Sequence, residues 1–181
     1  MIFIMSDSQI TKKALAESMK KLMEEKPKKK INIGDIVEGC NMNRQSFYYH
    51  FKDKYDLVNW IYYTEFIVTI KDSPMSSWNI LVNICKFFYN NKIFYKNAFQ
   101  VTGQNSFSEY FIEVLHPILT VHLNDIFKNN KNVDFYATFY SDAIRVSISR
   151  WLIEGARIPP EQFVELIKSS IEGVAMNLLN E

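Results

Sequence analysis

One stretch of the chain, NIGDIVEGCNMNRQSFYYHFKDKYDL from Asn32 to Leu57, constrains the fold more than any other. Its apolar spacing predicts two short helices around a tight turn, followed by the start of a longer helix. Asn32 and Asn43 stand where N-cap residues are expected, and Asn41 stands at the turn, where the left-handed backbone conformation tolerates Asn. Helices this short need a third helix to bury their apolar sides, so the stretch predicts a helix-turn-helix arrangement.

The second short helix, predicted over 44–51, has an apolar and a polar face. Phe47 and Phe51 lie one turn apart on the face that packs inward. The side chains that remain exposed or half exposed are Arg44, Gln45, Tyr48 and Tyr49. A helix that enters the major groove of DNA needs a rigid partner helix, a tight turn that sets its angle, and polar side chains on its outer face. The stretch offers all three, which predicts a DNA-binding head.

The rest of the chain is predicted to be helical almost throughout, because 181 residues contain only five Gly and five Pro and the apolar residues recur at helical spacing. The predicted fold is all-α with about nine helices: a head over residues 1–57 and a regulatory and dimerisation body over 58–181. The further helices are expected from Ser6 or Ser8 to before Pro27, then over 55–70, 77–90, 93–101, 107–127, 135–154 and 160–179. We expect Ser73 or Ser76 to cap the helix over 77–90, and Pro117 to bend or interrupt the helix over 107–127.

Charge is distributed unequally between the two parts. Up to Leu57 there are eleven Lys or Arg against eight Asp or Glu, and from Val58 onward there are ten against twelve. The basic excess therefore lies in the predicted head, which is the side that would face phosphates. Hydrophobic residues make up 48% of the chain, enough for a substantial core, so a disordered chain is excluded.

Several classes of protein are disfavoured by what the sequence lacks. Cys40 and Cys85 lie far apart without a CxxC partner, which is typical of thiols in a reducing cytosol. No apolar run approaches the roughly 20 residues of a membrane helix. The three His residues do not form a metal-binding pattern, and neither a Gly-rich phosphate loop nor a GxSxG elbow is present. We expect a soluble, cytoplasmic protein that is not an enzyme and uses no metal or cofactor.

The opening stretch, with FYYHFKDKYDL from Phe47 to Leu57 as its most specific part, resembles the DNA-binding head of the TetR family of transcriptional regulators. The resemblance implies a dimeric regulator that binds a double-stranded DNA operator. The chain departs from the family pattern at four positions: Asn32 stands where Thr is usual, Cys40 where Ala is common, Asn41 where Gly is usual and Gln45 where Gly is frequent. Asn keeps the ability to cap a helix and to form a turn, whereas Gln45 enlarges the surface that can read bases.

The resemblance also implies roles for individual residues of the head. Arg44, Gln45 and Tyr48 would face bases, with Arg44 suited to guanine and Gln45 to adenine. The residues that would hold phosphates are Asn32, Ser46, Tyr49, His50 and Lys54. Lys54 lies at the predicted start of a helix, whose unpaired backbone N–H groups also favour an anion.

The body has no catalytic motif, but it is rich in aromatic residues. A ligand pocket between helices would be lined by such residues with a few polar groups, and in the resembled family the inducer lies in this middle region. The candidate pocket residues are Trp78, Phe88, Phe99, Gln104, Phe107, Tyr110, Phe111 and His116.

The last two helices are too apolar for the surface of a monomer. The resemblance implies that they pair across a two-fold axis as a four-helix bundle. The candidate interface residues are Phe135, Phe139, Ile144, Ile148, Trp151, Ile167, Ile171, Val174 and Leu178.

Three interpretations of the control mechanism stay open at this point. In the first, a small apolar ligand in the body tunes DNA binding. In the second, a protein co-regulator docks on the body, because the body is also similar to a TetR subgroup that includes the dihydroxyacetone-kinase operon activator and is governed by a partner protein. A closed aromatic cavity would favour the first, and a filled core with an exposed apolar patch would favour the second. The third, a helical enzyme or a module that does not bind DNA, would require the outer face of the 44–51 helix to be buried.

Overall fold

The computed structural model describes residues 7–25, 31–70, 75–101, 103–127 and 131–179. Within these ranges the fold is all-α, as predicted, and consists of nine helices. They are α1 (Asp7–Glu25), α2 (Ile33–Glu38), α3 (Arg44–His50), α4 (Lys54–Tyr62, continued by a π-helical turn Tyr63–Ile67 and by Val68–Ile70), α5 (Ser77–Asn90), α6 (Lys92–Phe99), α7 (Phe107–Phe127), α8 (Val133–Ile153) and α9 (Pro160–Leu179). We call residues 7–57 the head and 58–179 the body; the boundary falls inside α4.

The predicted caps of the two short helices are confirmed, whereas Ser6, a candidate cap of the first helix, lies outside the described residues. The Asn32 side chain accepts from the backbone N–H of Asp35, whose carboxylate accepts from the Asn32 N–H, forming a capping box at the start of α2. Asn43 accepts from the N–H of Ser46 at the start of α3, and Asn41 has the expected left-handed conformation with φ of 56°. Ser76, one of the two candidates, caps α5, whereas Ser73 lies outside the described residues. The caps therefore determine where the short helices begin and how the chain turns between them.

Two long helices differ from the expected course. α4 contains a π-helical turn over Tyr63–Ile67. Both carboxylate oxygens of Glu65 in that turn accept hydrogen bonds from the Lys20 ammonium of α1, Oε2 at 2.8 Å and Oε1 at 3.0 Å. α7 runs through Pro117 without a break, so the predicted interruption is wrong. The proline removes one backbone hydrogen bond, and burial of Leu115 and Leu119 on both sides of it holds the helix together.

The head has a core built on α1. Leu15 and Met19 of α1 are buried against Ile36 of α2 and Phe47 of α3. A close approach between α1 and α2 is fixed by Ser18, whose hydroxyl donates a 2.7 Å hydrogen bond to the Ile36 carbonyl. Because this core supports both short helices, α3 can present its outer face to the surroundings.

The core of the body is an aromatic cluster centred on Tyr62 of α4. The Tyr62 ring contacts seven other rings with centroid separations between 5.3 and 6.3 Å, namely those of Phe66, Phe87, Phe88, Tyr95, Phe107, Tyr110 and Phe111. Burial raises the pKa of the Tyr62 hydroxyl well above its usual value. Cys85 is buried nearby and Cys40 is half-buried in the head, both as free thiols. Among the helices of the described ranges, none combines the length and apolar character needed to cross a membrane.

Candidate nucleic-acid interface

α3 is anchored by its inner face. Phe47 is fully buried and its ring lies 5.8 Å from that of Phe51, which is also buried. The turn before α3 is closed by the Met42 N–H, which donates a 2.8 Å hydrogen bond to the Val37 carbonyl. These contacts hold α3 at a fixed angle to α2, the condition for reading a DNA groove.

The three residues predicted to read bases lie together on the outer face of α3. Arg44 and Gln45 form its exposed first turn, and Tyr48 follows with 58% of its surface exposed. The Tyr48 ring keeps its position through an edge-to-face contact with Phe47 at 5.7 Å. Because this outer face is open, a fold in which α3 is simply a buried corner of a bundle is excluded.

Gly34 is a residue of the interface that sequence reasoning did not single out. A Cβ atom at this position would come within 2.8 Å of Asn32 Oδ1 and 3.1 Å of Arg44 Nη2. The absence of a side chain therefore lets the Arg44 guanidinium lie across the first turn of α2. The signal was present in the sequence, because a Gly in a helix two residues after a cap needs a packing reason.

The predicted phosphate residues surround the base-reading face. Tyr49 is 82% exposed, and its ring meets the His50 ring edge-to-face at 4.8 Å. Burial and the nearby Lys12 charge lower the pKa of His50, so at neutral pH it is an uncharged hydrogen-bonding group. Asn32 is exposed at the start of α2. Ser46 is half-buried, and its hydroxyl donates to Asn43 Oδ1 at 3.1 Å.

Lys54 has a contact that the sequence did not reveal. Its half-buried ammonium donates a 2.8 Å hydrogen bond to the Ile31 carbonyl, just before the cap of α2. The same nitrogen lies 5.5 Å from the centre of the Tyr55 ring. An ammonium carries three N–H donors, so this contact leaves two that can point to a phosphate.

The N-terminal part of α1 also borders the interface, which sequence reasoning missed. Thr11 lines an open depression together with Asn43, Gln45, Ser46, Tyr49 and His50. Lys12 lies 5.9 Å from the ring centres of both Phe51 and Trp60. Periodicity shows which residues of α1 share a face, but not which side of α3 that face meets.

Comparison with known proteins identifies the arrangement. A family model described as "Transcriptional regulator C-terminal region" matches residues 76–173, more than half of the chain. A second, described as "Bacterial regulatory proteins, tetR family", matches residues 16–61. The chain belongs to the TetR family of transcriptional regulators. It is a DNA-binding regulator and not an enzyme, and the predicted resemblance is confirmed.

Individual TetR relatives match most of the chain. The HTH-type dhaKLM operon transcriptional activator DhaS of Lactococcus lactis subsp. lactis (strain IL1403) is 29% identical over 149 residues, which cover 81% of this chain and 75% of the relative. A solved structure of the dihydroxyacetone kinase operon activator DhaS has a TM-score of 0.63 at 23% identity, over 95% of this chain and 97% of that one. NalD, the secondary repressor of the MexAB-OprM multidrug efflux pump in Pseudomonas aeruginosa, has a TM-score of 0.54 at 16% identity, over 89% and 94%. The two structures show a shared fold.

Half of the candidate pocket residues of this TetR body belong to the core. Phe88, Phe99, Phe107 and Phe111 are buried, with ring centroids 5.0 to 6.2 Å apart, so they fill the space between their helices. The other four are not buried, and of these only Tyr110 joins the aromatic cluster, through its contact with the Tyr62 ring at 6.3 Å. Gln104 is exposed and Tyr110 half-buried, Trp78 lies against the His122 ring at 4.8 Å, and the His116 ring lies 3.6 Å from Asp134. The predicted set therefore does not converge on one site, because aromatic residues at helical spacing served to fill the core.

The candidate residues of the dimer interface differ in how far they are exposed. Phe135 and Phe139 are 65% and 55% exposed on α8. Four others, Ile144, Ile148, Trp151 and Ile171, are buried in the core of their own chain, which corrects their expected position on a surface. Ile167 is half-buried against that core. The side chains of Val174 and Leu178 lie outside the described residues.

Proposed function

We propose that this TetR-type regulator acts in the cytoplasm as a homodimer that binds a two-fold symmetric operator. Residues 1–57 serve as its DNA-binding domain and 58–181 as its regulatory and dimerisation domain. The observation that carries the proposal is the exposed outer face of α3, where Arg44, Gln45 and Tyr48 project from a helix that is capped, buried on its inner side and fixed by a left-handed turn. Asn32, Ser46, Tyr49, His50 and Lys54 hold the flanking phosphates.

The dimer is supported by an apolar stripe on α8. Phe135, Phe139, Val146 and Ile153 are 65%, 55%, 42% and 41% exposed. Their spacings of four, seven and seven residues place them on one side of the helix, as in the seam of a coiled coil. A stripe of large apolar side chains along almost the whole length of a helix is costly in water and is covered when the same face of a second copy packs on it.

Control by a protein co-regulator is the mechanism that the body favours. The centre of the body is filled by the packed rings of Tyr62 and its seven aromatic neighbours. Apolar side chains are also exposed away from α8, with Tyr63 and Val68 of α4 at 41% and 51% and Val121 of α7 at 64%. A filled core with such a surface suits a docking platform.

Control by a small apolar ligand is the second candidate, and one observation favours it. The hydroxyl groups of Tyr62 and Tyr95 are buried without a hydrogen-bond partner. A buried polar group left unpaired is costly, and a ligand or a water molecule that enters the aromatic cluster would satisfy it. Such a ligand acts only through its differential affinity for two arrangements of the dimer.

The DNA-binding role is tested by Lys54→Ala in a salt series. We expect operator affinity to fall on all sequences and the slope of log affinity against log salt to become shallower by about one unit, because one phosphate contact is lost. The measurement is a binding titration at several salt concentrations.

The matched control for this titration is Lys131→Ala, which removes an equal charge from an exposed position of the body. We expect its slope to equal that of the wild type. A Lys54→Ala slope that also equals the wild type would assign Lys54 to the Ile31 contact alone and remove it from the phosphate set.

The choice between the two control mechanisms is tested by Tyr62→Phe. If the core is filled and the hydroxyl unpaired, its removal should raise the free energy of unfolding by about 1 kcal/mol or more. Chemical denaturation measures this. Tyr110→Phe is the control, because Tyr110 is half-buried and its hydroxyl is not one of the buried groups left unpaired, so its change should stay within about 0.5 kcal/mol. A destabilised Tyr62→Phe would mean that the hydroxyl has a bound partner, either a ligand or a water molecule, and would count against the filled core.

A further inference from the structure

A side chain of the body caps a helix of the head. Asn97 of α6 donates from Nδ2 to the Met23 carbonyl of α1 over 2.6 Å, in a partly buried position. Met23 lies in the last turn of α1, where carbonyl groups have no partner within the helix. The hydrogen bond therefore satisfies a group of the head with a donor from the body.

Both ends of this hydrogen bond are firmly held. On the body side, Tyr95 and Phe99 flank Asn97 on α6 and pack their rings 5.2 and 5.0 Å from that of Phe107. On the head side, α1 is buried along Leu15 and Met19 and is joined to α2 through Ser18. A shift of α6 relative to α1 would consequently break the bond, because neither helix can bend locally to preserve it.

A small, mainly apolar cavity lies beside the bond. This cavity of about 20 Å³ lies between α1, α4, α6 and the start of α7, large enough for about one water molecule. It is lined by Met19, Met23, Ile31, Lys54, Tyr55, Val58, Ala98, Val101 and Phe107. Methionine adapts its shape easily, and apolar contacts have no preferred direction. The apolar part of this joint therefore permits several relative positions of head and body.

A directional contact is needed to select one of these positions. A second polar link between the two parts joins the Lys20 ammonium of α1 to the Glu65 carboxylate of α4 over 2.8 and 3.0 Å. Both of its side chains are partly exposed, and an ion pair in water holds two long side chains in place only weakly. The Asn97 bond is shorter and more buried, so it is the stronger constraint on the joint.

We propose that Asn97 is a positioning residue for operator recognition: its hydrogen bond to Met23 latches the head in one orientation on the body. The proposal rests on the proposed homodimer, in which head orientation sets the separation of the two α3 helices. One added base pair moves a half-site by about 3.4 Å along the duplex and turns it by about a tenth of a helical turn. A latched dimer therefore discriminates between spacings, and an unlatched one tolerates them.

The experiment compares Asn97→Ala with the wild type on a set of DNA duplexes. The probes carry the inverted-repeat operator selected from a random DNA pool, with the half-sites moved closer or further apart by one or two base pairs. We expect the wild type to lose affinity at least tenfold on the shifted duplexes, and Asn97→Ala to reduce that ratio several-fold. Asn97→Asp keeps the shape of the side chain but replaces the donor with a carboxylate, so it should reduce the affinity ratio in the same way. It takes the place of Asn97→Ala in the experiment if the alanine variant folds poorly.

The chain offers a matched control in Asn91. Its Nδ2 donates to the Phe87 carbonyl at the end of α5 over 2.9 Å, so it caps a helix in the same way but within the body. Asn91→Ala should lose comparable stability and keep the spacing preference of the wild type. An Asn97 variant with the wild-type preference would overturn the latch alone. A wild type that prefers no duplex would overturn the proposed function and the latch with it.

Discussion

Replacing Phe139 with Glu is expected to convert the regulator to a monomer and to lower operator affinity by about 10²–10⁴-fold, the usual gain from linking two binding modules. Phe139 is 55% exposed at the centre of the apolar α8 stripe and stacks on Phe135, with ring centroids 6.4 Å apart. Near a two-fold axis the substitution places two carboxylates in an apolar interface, where neither has a partner. Sedimentation and DNA titration measure the two effects.

The control for this experiment is Val121→Glu. Val121 is a large apolar side chain with 64% exposure on α7, outside the stripe. The same charge is therefore added to the same kind of position, and the oligomeric state should not change. A Phe139→Glu variant that remains dimeric with full affinity would refute the α8 interface, whereas monomers formed by both variants would place Val121 in it as well.

The second large effect is expected from Arg44→Ala. If the guanidinium reads a guanine, its loss should reduce discrimination at one base position by about 1–3 kcal/mol and leave the other positions unaffected. Binding to a set of operators with single base changes measures this. The Arg44 side chain lies beside Gly34, where the missing Cβ leaves room for its guanidinium.

Lys52→Ala is the matched control for Arg44→Ala. Lys52 is an exposed cation of the segment between α3 and α4, and its removal should weaken binding by a similar factor on every sequence. If Arg44→Ala also weakens all sequences equally, the base-reading role passes to Gln45 and Tyr48, and Arg44 becomes a phosphate contact.

Local chemistry explains why the head was predictable from sequence. A cap such as Asn43 needs only the N–H three residues ahead of it, and Asn41 needs only its own tolerance of positive φ. Contacts that depend on the path of the chain were not predictable. The hydrogen bond between Lys54 and Ile31 spans 23 positions and that between Asn97 and Met23 spans 74.

The body shows a second limit of sequence reasoning. α8 carries apolar residues on two sides, and periodicity does not say which side meets its own chain. Ile144 and Ile148 face the core, whereas Phe135 and Phe139 face outward. In the same way, an aromatic cluster that packs and one that encloses a ligand have similar composition, so the difference emerges only from the ring contacts around Tyr62.

The π-helical turn of α4 has a consequence for comparing this chain with its relatives. A π turn accommodates one residue more than an α-helical path of the same length. A relative without it would have α4 one residue shorter between the positions of Tyr62 and Ile70. In an ungapped alignment, each residue beyond the π turn would then be paired with a position about 100° away around the helix axis. Glu65 would then be paired with a position that points away from the counterpart of Lys20. Residue correspondences in the second half of α4 are therefore reliable only when they are drawn from superposed structures.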